Sequence, residues 1–240
     1  MNNKMFSQDI EQIIKQIKNA NEEKFSKLIE IMNLDATKDF VGVDLSGNNF
    51  SRANLQGINL SAANLQGINL SDANLQDVNL SAANLQGAFL QDANLQGTNL
   101  IDTNLQEAFL QDANLQGSFL SFANLQQAFL SFANLQEAFL QSANLRGANL
   151  LSADLRGANL LSANFQSANL RQANLEEAFL QGANLQDANL QHAQVKYAQF
   201  GFNQGIDRQL RQNLEERGAI FVDYAEDEVQ TPTPVPANSE

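Results

Sequence analysis

Few residues in this sequence could do chemistry, and each can be weighed alone. Cysteine is absent, which removes disulfides, thiol catalysis and thiolate metal sites together. The single histidine, His192, has no acidic or serine partner in its own repeat with which to move a proton or activate a nucleophile, so it reads as a surface side chain. Asp72, Asp92 and Asp112 recur at a spacing of 20, and stacked carboxylates would suit a hard cation such as Ca²⁺ if six or more oxygens caged it. An open row of solvated, mutually repelling charges is the competing reading. Gly57, Gly67, Gly87, Gly97, Gly117, Gly147 and Gly157 do not stand between a strand and a helix, as a phosphate loop requires; they read as tight turns needing φ > 0, as in type II. The expectation is a protein that is not an enzyme and takes no cofactor, no metal and no small-molecule substrate.

The remaining signal is aromatic. Phe89, Phe109 and Phe129 are spaced by 20, as are Phe119 and Phe139, with Phe179 two further steps along; Phe132 joins the first group and Phe122 the second. Ile101, Leu151 and Leu161 add aliphatic groups at neighbouring positions. A contiguous exposed apolar patch points to a protein partner or to self-association. Stacked rings can instead reinforce a ladder with no partner at all, and both readings stand on the sequence.

The elements that hold these residues follow from a repeat. Every fifth position from Leu45 to Phe200 is apolar, 32 in all: 28 are Leu and the others are Phe50, Phe165, Val195 and Phe200. Two residues earlier stands a small side chain, Ala in 24 of the 32. An α-helix turning about 100° per residue would smear such a series around its circumference, and a straight strand would send alternate leucines to opposite faces. The chain must therefore turn once per repeat. Four five-residue sides with right-angled corners close a square coil of 20 residues, with leucines such as Leu55, Leu85, Leu125, Leu155 and Leu185 pointing at its axis. Residues 20 apart then stack, which puts the two phenylalanine groups on opposite sides and leaves Asn on the intervening two.

The run from about Val43 to Phe202 resembles the pentapeptide-repeat proteins, a family well represented in cyanobacteria. The resemblance implies a mainly β fold, a right-handed quadrilateral β-helix of about eight four-sided coils. It also brings a functional alternative, because some members imitate DNA and bind DNA gyrase. The repeat region holds 12 acidic and five basic residues, net −7. A duplex as tall as eight coils, about 38 Å at strand spacing, would carry about 22 charges. The acids are sparse by that measure and scattered over several sides, so a scaffold or interaction module is the favoured reading and the DNA mimic the alternative.

Over the whole chain 27 acidic residues face 14 basic ones, net −13, which disfavours direct binding to nucleic acid or to an anionic membrane. The first residues, MNNKMFSQDIEQ, lack an apolar run behind a basic stub, and no stretch of about 20 apolar residues could cross a bilayer, so a cytoplasmic protein is expected. A stacked solenoid needs covered ends. Residues 1–42 show helical spacing (Ile10, Ile13, Ile14 and Ile17, then Phe25, Leu28, Ile29 and Met32) and are expected to cap the first coil. Residues 203–224 are expected to cap the last, with Asp207 starting a helix that carries Leu210 and Leu214 and Gly218 ending it. Residues 225–240, acidic and holding all three prolines, read as a disordered tail.

Overall fold

Each five-residue unit is too short for a regular strand and ends in a turn. After the central residue the chain turns a corner through two residues, and the amide of the next small residue donates back to the central carbonyl, as Ala63 does to Leu60 at 3.1 Å. The second turn residue has positive φ at every fifth position from Gly42 to Phe202. Gly57, Gly67, Gly87, Gly97, Gly117, Gly147 and Gly157 are among them, in turns with positive φ as expected, but the conformation is not confined to glycine. Ten of these places hold glycine, yet Asp72 (φ 59°), Glu107 (φ 58°), Phe122 (φ 62°) and Phe132 (φ 62°) adopt the same conformation. The left-handed region costs a side chain of this kind about 1–2 kcal/mol. Here the amide it orients donates to the next coil, as Asp72 does to Gln91 at 2.9 Å and Phe132 to Leu151 at 3.0 Å, which offsets that cost. The corner is imposed by the stack, and glycine is only its least strained occupant.

The computed structural model describes residue 38 and residues 40–222. Within them, parallel bridges join residues 20 apart in four columns, running from Asp44–Asn64 to Asn184–Gln204. Each repeat contributes the same inter-coil bonds: Leu65 donates to Asn84 at 2.7 Å and Asn84 donates to Ala63 at 2.9 Å. The product is a β-helical solenoid whose sheets run along its length. The helices expected within residues 1–42 and the tail expected at 225–240 lie outside the described residues, apart from Lys38, Phe40, Val41 and Gly42.

All central residues from Leu45 to Phe200 are buried, including Leu55, Leu85, Leu125, Leu155 and Leu185. The residue two before each shares this interior and is mostly Ala, although the early coils also bury Ile58, Ile68 and Val78 there. Four polar residues take that position: the hydroxyls of Thr98, Thr103 and Ser118 donate to the carbonyls of Leu75, Leu80 and Leu115 at 2.7, 2.8 and 2.7 Å, while Asn48, near the start of the solenoid, donates its Nδ2 to the Ser46 carbonyl at 3.3 Å and leaves its Oδ1 without a partner. A buried hydroxyl without such a bond would cost about 1–3 kcal/mol.

The last coil passes into a short β-α-β segment. Strand β1 (Gln199–Phe200) pairs in parallel with β2 (Ile220–Phe221), and helix α1 (Arg208–Glu216) lies between them in sequence. The Asp207 carboxylate accepts from the Leu210 amide at 2.7 Å and so starts α1, while Leu214 buries its side chain below it. Ile220 and Val222 donate to Ala198 and Phe200, both at 2.8 Å, and Phe221 stacks on Phe200 at 5.3 Å. Gly205 is a glycine the fold does require: its φ is 82° and a Cβ there would stand 2.4 Å from the Gln186 backbone. Gly57, by contrast, has open space where a Cβ would go.

Candidate functional site

The surface is set by the residue just before each central leucine. Where it is Asn, the side chain is used up locally. Its Oδ1 accepts the amide two residues on, closing the corner, as Asn134 does from Gln136 at 3.1 Å. Its Nδ2 donates to the Asn one coil below, as Asn104 does to Asn84 at 3.0 Å and Asn134 to Asn114 at 3.0 Å. Two of the four sides carry this amide ladder along most of their length.

On the other two sides phenylalanine replaces Asn in the middle coils. Phe89, Phe109 and Phe129 form a continuous stack, with centroids 5.1 and 5.0 Å apart and planes within 5°. Opposite them Phe119 and Phe139 stack at 5.2 Å. Phe89, Phe119, Phe129, Phe139 and Phe179 are 38–42% exposed, whereas Phe109, shielded between its two neighbours, is less exposed than any of them. Phe132 and Phe122 are the most open of the group at 58% and 61%. The structure does not bring these two into either stack. They stand at the positive-φ corners beyond Phe129 and Phe119 and project as separate rings. Phe179 lies between Asn159 and Gln199 in its column and so has no ring on either side.

A groove runs beside the Phe89 stack, lined by Phe109, Phe129, Glu107 and Gln127 with Gly87 and Gly147 at its ends. The sequence reading did not find it, although the spacing contains it: residues 87, 107, 127 and 147 form one corner column, and its two glycines leave the ring edges uncovered. A second omission is in the charges. From residue 53 to residue 145 there are seven acidic residues and no Lys, Arg or His, and every phenylalanine of the two faces except Phe179 lies in this stretch. From residue 146 to residue 202 four basic residues balance four acidic ones.

The titratable groups do not assemble. Asp72 meets Arg52 at 3.6 Å on the open surface, and among the described residues no three of His, Asp and Glu gather as a cation site. His192 is exposed, in a notch beside Leu210 and Arg217 of the C-terminal segment. Asp154, in an amide-bearing column, is the exception with a built environment. Burial opposes its charge, but the Arg156 side chain, at 2.7 Å, the Arg156 amide and Gln136, at 2.8 Å, hold its carboxyl below the usual carboxylate range. Among the described residues no helix is long and apolar enough to cross a membrane.

No curated protein sequence matches the chain. Among solved structures it is similar to HetL of Nostoc sp. strain PCC 7120, a pentapeptide repeat protein involved in regulating heterocyst differentiation. That likeness has 30% identity over 71% of this chain and 94% of HetL, with a TM-score of 0.32. It is also similar to a pentapeptide repeat protein of the Arabidopsis thaliana thylakoid lumen (27% identity, 46% of this chain and 77% of that one, TM-score 0.43). Rfr23 of Cyanothece 51142 is 46% identical over 38% of this chain and 58% of its own, with a TM-score of 0.22. The Pentapeptide repeats family itself matches in eight copies over residues 39–77, 73–112, 93–131, 123–160 and 163–196. With its five-residue period, its inward leucines and that match over most of its length, the chain belongs to the pentapeptide repeat family.

Proposed function

We propose that this chain is a non-enzymatic protein-interaction module, a rigid right-handed rod of about eight coils over residues 43–202 that presents phenylalanine faces to a partner. One observation carries the reading. Phenylalanine occurs at the pre-leucine position on two opposite sides only, and there it leaves about two-fifths of each outer ring in water, while the backbone ladder beneath it is the same as under Asn. A residue that the ladder does not need, kept apolar and exposed in register, is explained by contact with another surface. Burying three such rings would supply several kcal/mol before association costs, enough for a specific but modest contact.

The test is the triple variant Phe89→Asn, Phe109→Asn, Phe129→Asn, compared with the unaltered protein by light scattering and by pull-down from its native extract. The expected result is a retained fold with loss of a partner or of self-association. Unchanged mass and unchanged partners would reduce the rings to ladder structure.

A further inference from the structure

The Phe89–Phe109–Phe129 side is rimmed by carboxylates. Asp92 and Asp112 stand at the corner three residues after Phe89 and Phe109, and Glu107 stands at the opposite corner, two residues before Phe109, where it lines the groove beside the rings. All three acids are exposed. No Lys, Arg or His lies in residues 53–145; the basic residues that bound this stretch are Arg52, paired with Asp72 at 3.6 Å, and Arg146 beside Gly147, so this part of the rod carries a net negative charge around an apolar strip. Resting on the interaction reading above, we infer that this side docks a cationic amphipathic segment of a partner protein, one whose Lys or Arg residues flank leucine-like or aromatic ones.

The chemistry of the groove selects such a segment. Its wall is formed by the rings of Phe109 and Phe129, its rim by the Glu107 carboxylate, and its ends open over Gly87 and Gly147. A Lys or Arg side chain laid along it would bury its methylene stem against the ring edges and bring its charge to Glu107. Apolar residues of the same segment would cover the exposed ring edges of Phe89 and Phe129, and further cations would reach Asp92 and Asp112 along the other rim. An acidic or anionic partner would meet the same carboxylates at close range and be repelled. Other sides of the rod match less well: the amide-bearing ones have no apolar strip, the opposite side stacks two rings, Phe119 and Phe139, where this one stacks three, with Asp102 and Glu137 at its corners, and the coils after residue 145 have their charge balanced.

The experiment measures binding of a labelled synthetic peptide by fluorescence anisotropy, using the full chain at physiological salt, where the Debye length is about 8 Å. The probe has Lys along one flank and Leu along the other; one control has every Lys replaced by Glu and a second has every Leu replaced by Ser. The lysine–leucine peptide is expected to bind and both controls to fail. The rim variant Asp92→Asn, Glu107→Gln, Asp112→Asn is expected to weaken binding on the order of fivefold to tenfold and to flatten its salt dependence. A variant with equal loss of charge elsewhere, Glu176→Gln, Glu177→Gln, Asp187→Asn, is expected to bind as the unaltered protein does.

Absence of binding by the lysine–leucine peptide would overturn the inference. So would equal weakening by the two charge variants, which would mean only that an acidic protein attracts a basic peptide. Binding that survives the rim variant but is abolished by Phe89→Asn, Phe109→Asn, Phe129→Asn would overturn the cationic partner and leave the interaction surface standing. Binding indifferent to both sets would overturn the surface itself.

Discussion

The amide-bearing sides and the phenylalanine-bearing sides of this rod share one backbone and differ in one residue per repeat. Under Asn104 and under Phe109 alike, the central leucine amide bonds to the next coil at 2.7 Å, and the side chain before it comes from a residue in the same bridge pattern. What changes is where the side chain spends its interactions. Asn turns inward on its own corner and on the coil below, leaving little for any other molecule. Phe gives up the bond to the corner amide, stacks on its neighbours and leaves part of each ring in water. The lesson is that the solenoid is stabilised by its interior and its ladders, while the outer residue is free to vary for other ends.

The largest test of that equivalence is inside. Leu125 follows an amide-bearing position and Leu130 a phenylalanine-bearing one, and both are about 1% exposed. Leu125→Asp and Leu130→Asp should each cost more than about 4 kcal/mol and collapse several coils, because each leaves an unpaired carboxylate where the leucines of a coil meet. Gln126→Asp should cost less than about 0.5 kcal/mol. Thermal unfolding compares all three; a markedly milder Leu130→Asp would mean that the two sides do not share one core.

A smaller effect separates the sides themselves. Asn104 accepts from the Gln106 amide at 3.2 Å, donates to Asn84 at 3.0 Å and accepts from Asn124 at 3.3 Å. Asn104→Ala removes all three and should cost about 1–2 kcal/mol. Phe109→Asn should fall within about 1 kcal/mol of the unaltered protein, since losing two ring stacks is offset by an amide able to close its corner. Denaturant midpoints decide between them. If Phe109→Asn proved the more damaging, the rings would be structural and the surface would lose its claim to a partner.

How much of this is legible in the sequence depends on what sets each feature. The inward leucines are legible because a five-residue period admits neither helix nor straight strand, and the column of each phenylalanine follows from a spacing of 20. Two things are not. The positive φ at every corner cannot be read from Phe122 or Phe132, whose side chains disfavour it, because hydrogen bonds to a coil 20 residues away impose it. The shielding of Phe109 and the groove beside it depend equally on what the adjacent coils hold, namely two flanking rings in one column and two glycines in another.

The smallest effect sharpens the comparison within an amide-bearing column, where Asp154 stands between Asn134 and Asn174. As a carboxylate it cannot donate to the coil below, and it binds the Arg156 side chain instead, at 2.7 Å. Its pKa is held below the usual value, so its charged form contributes stability above the unfolded-state pKa of about 3.9, and that contribution is lost as the pH falls through the lower folded value. Arg156 is half-exposed, so solvent screens the pair and keeps its contribution small, and Asp154→Asn would restore an amide able to join the ladder. The advantage of the unaltered protein over Asp154→Asn should therefore be greatest at neutral pH and shrink in acid well below the ordinary carboxylate range. Urea midpoints at both conditions measure this. A gap that persisted in acid would show that the Arg156 charge is not its source and that Asp154 serves the corner only as Asn does elsewhere, by accepting the amide two residues on.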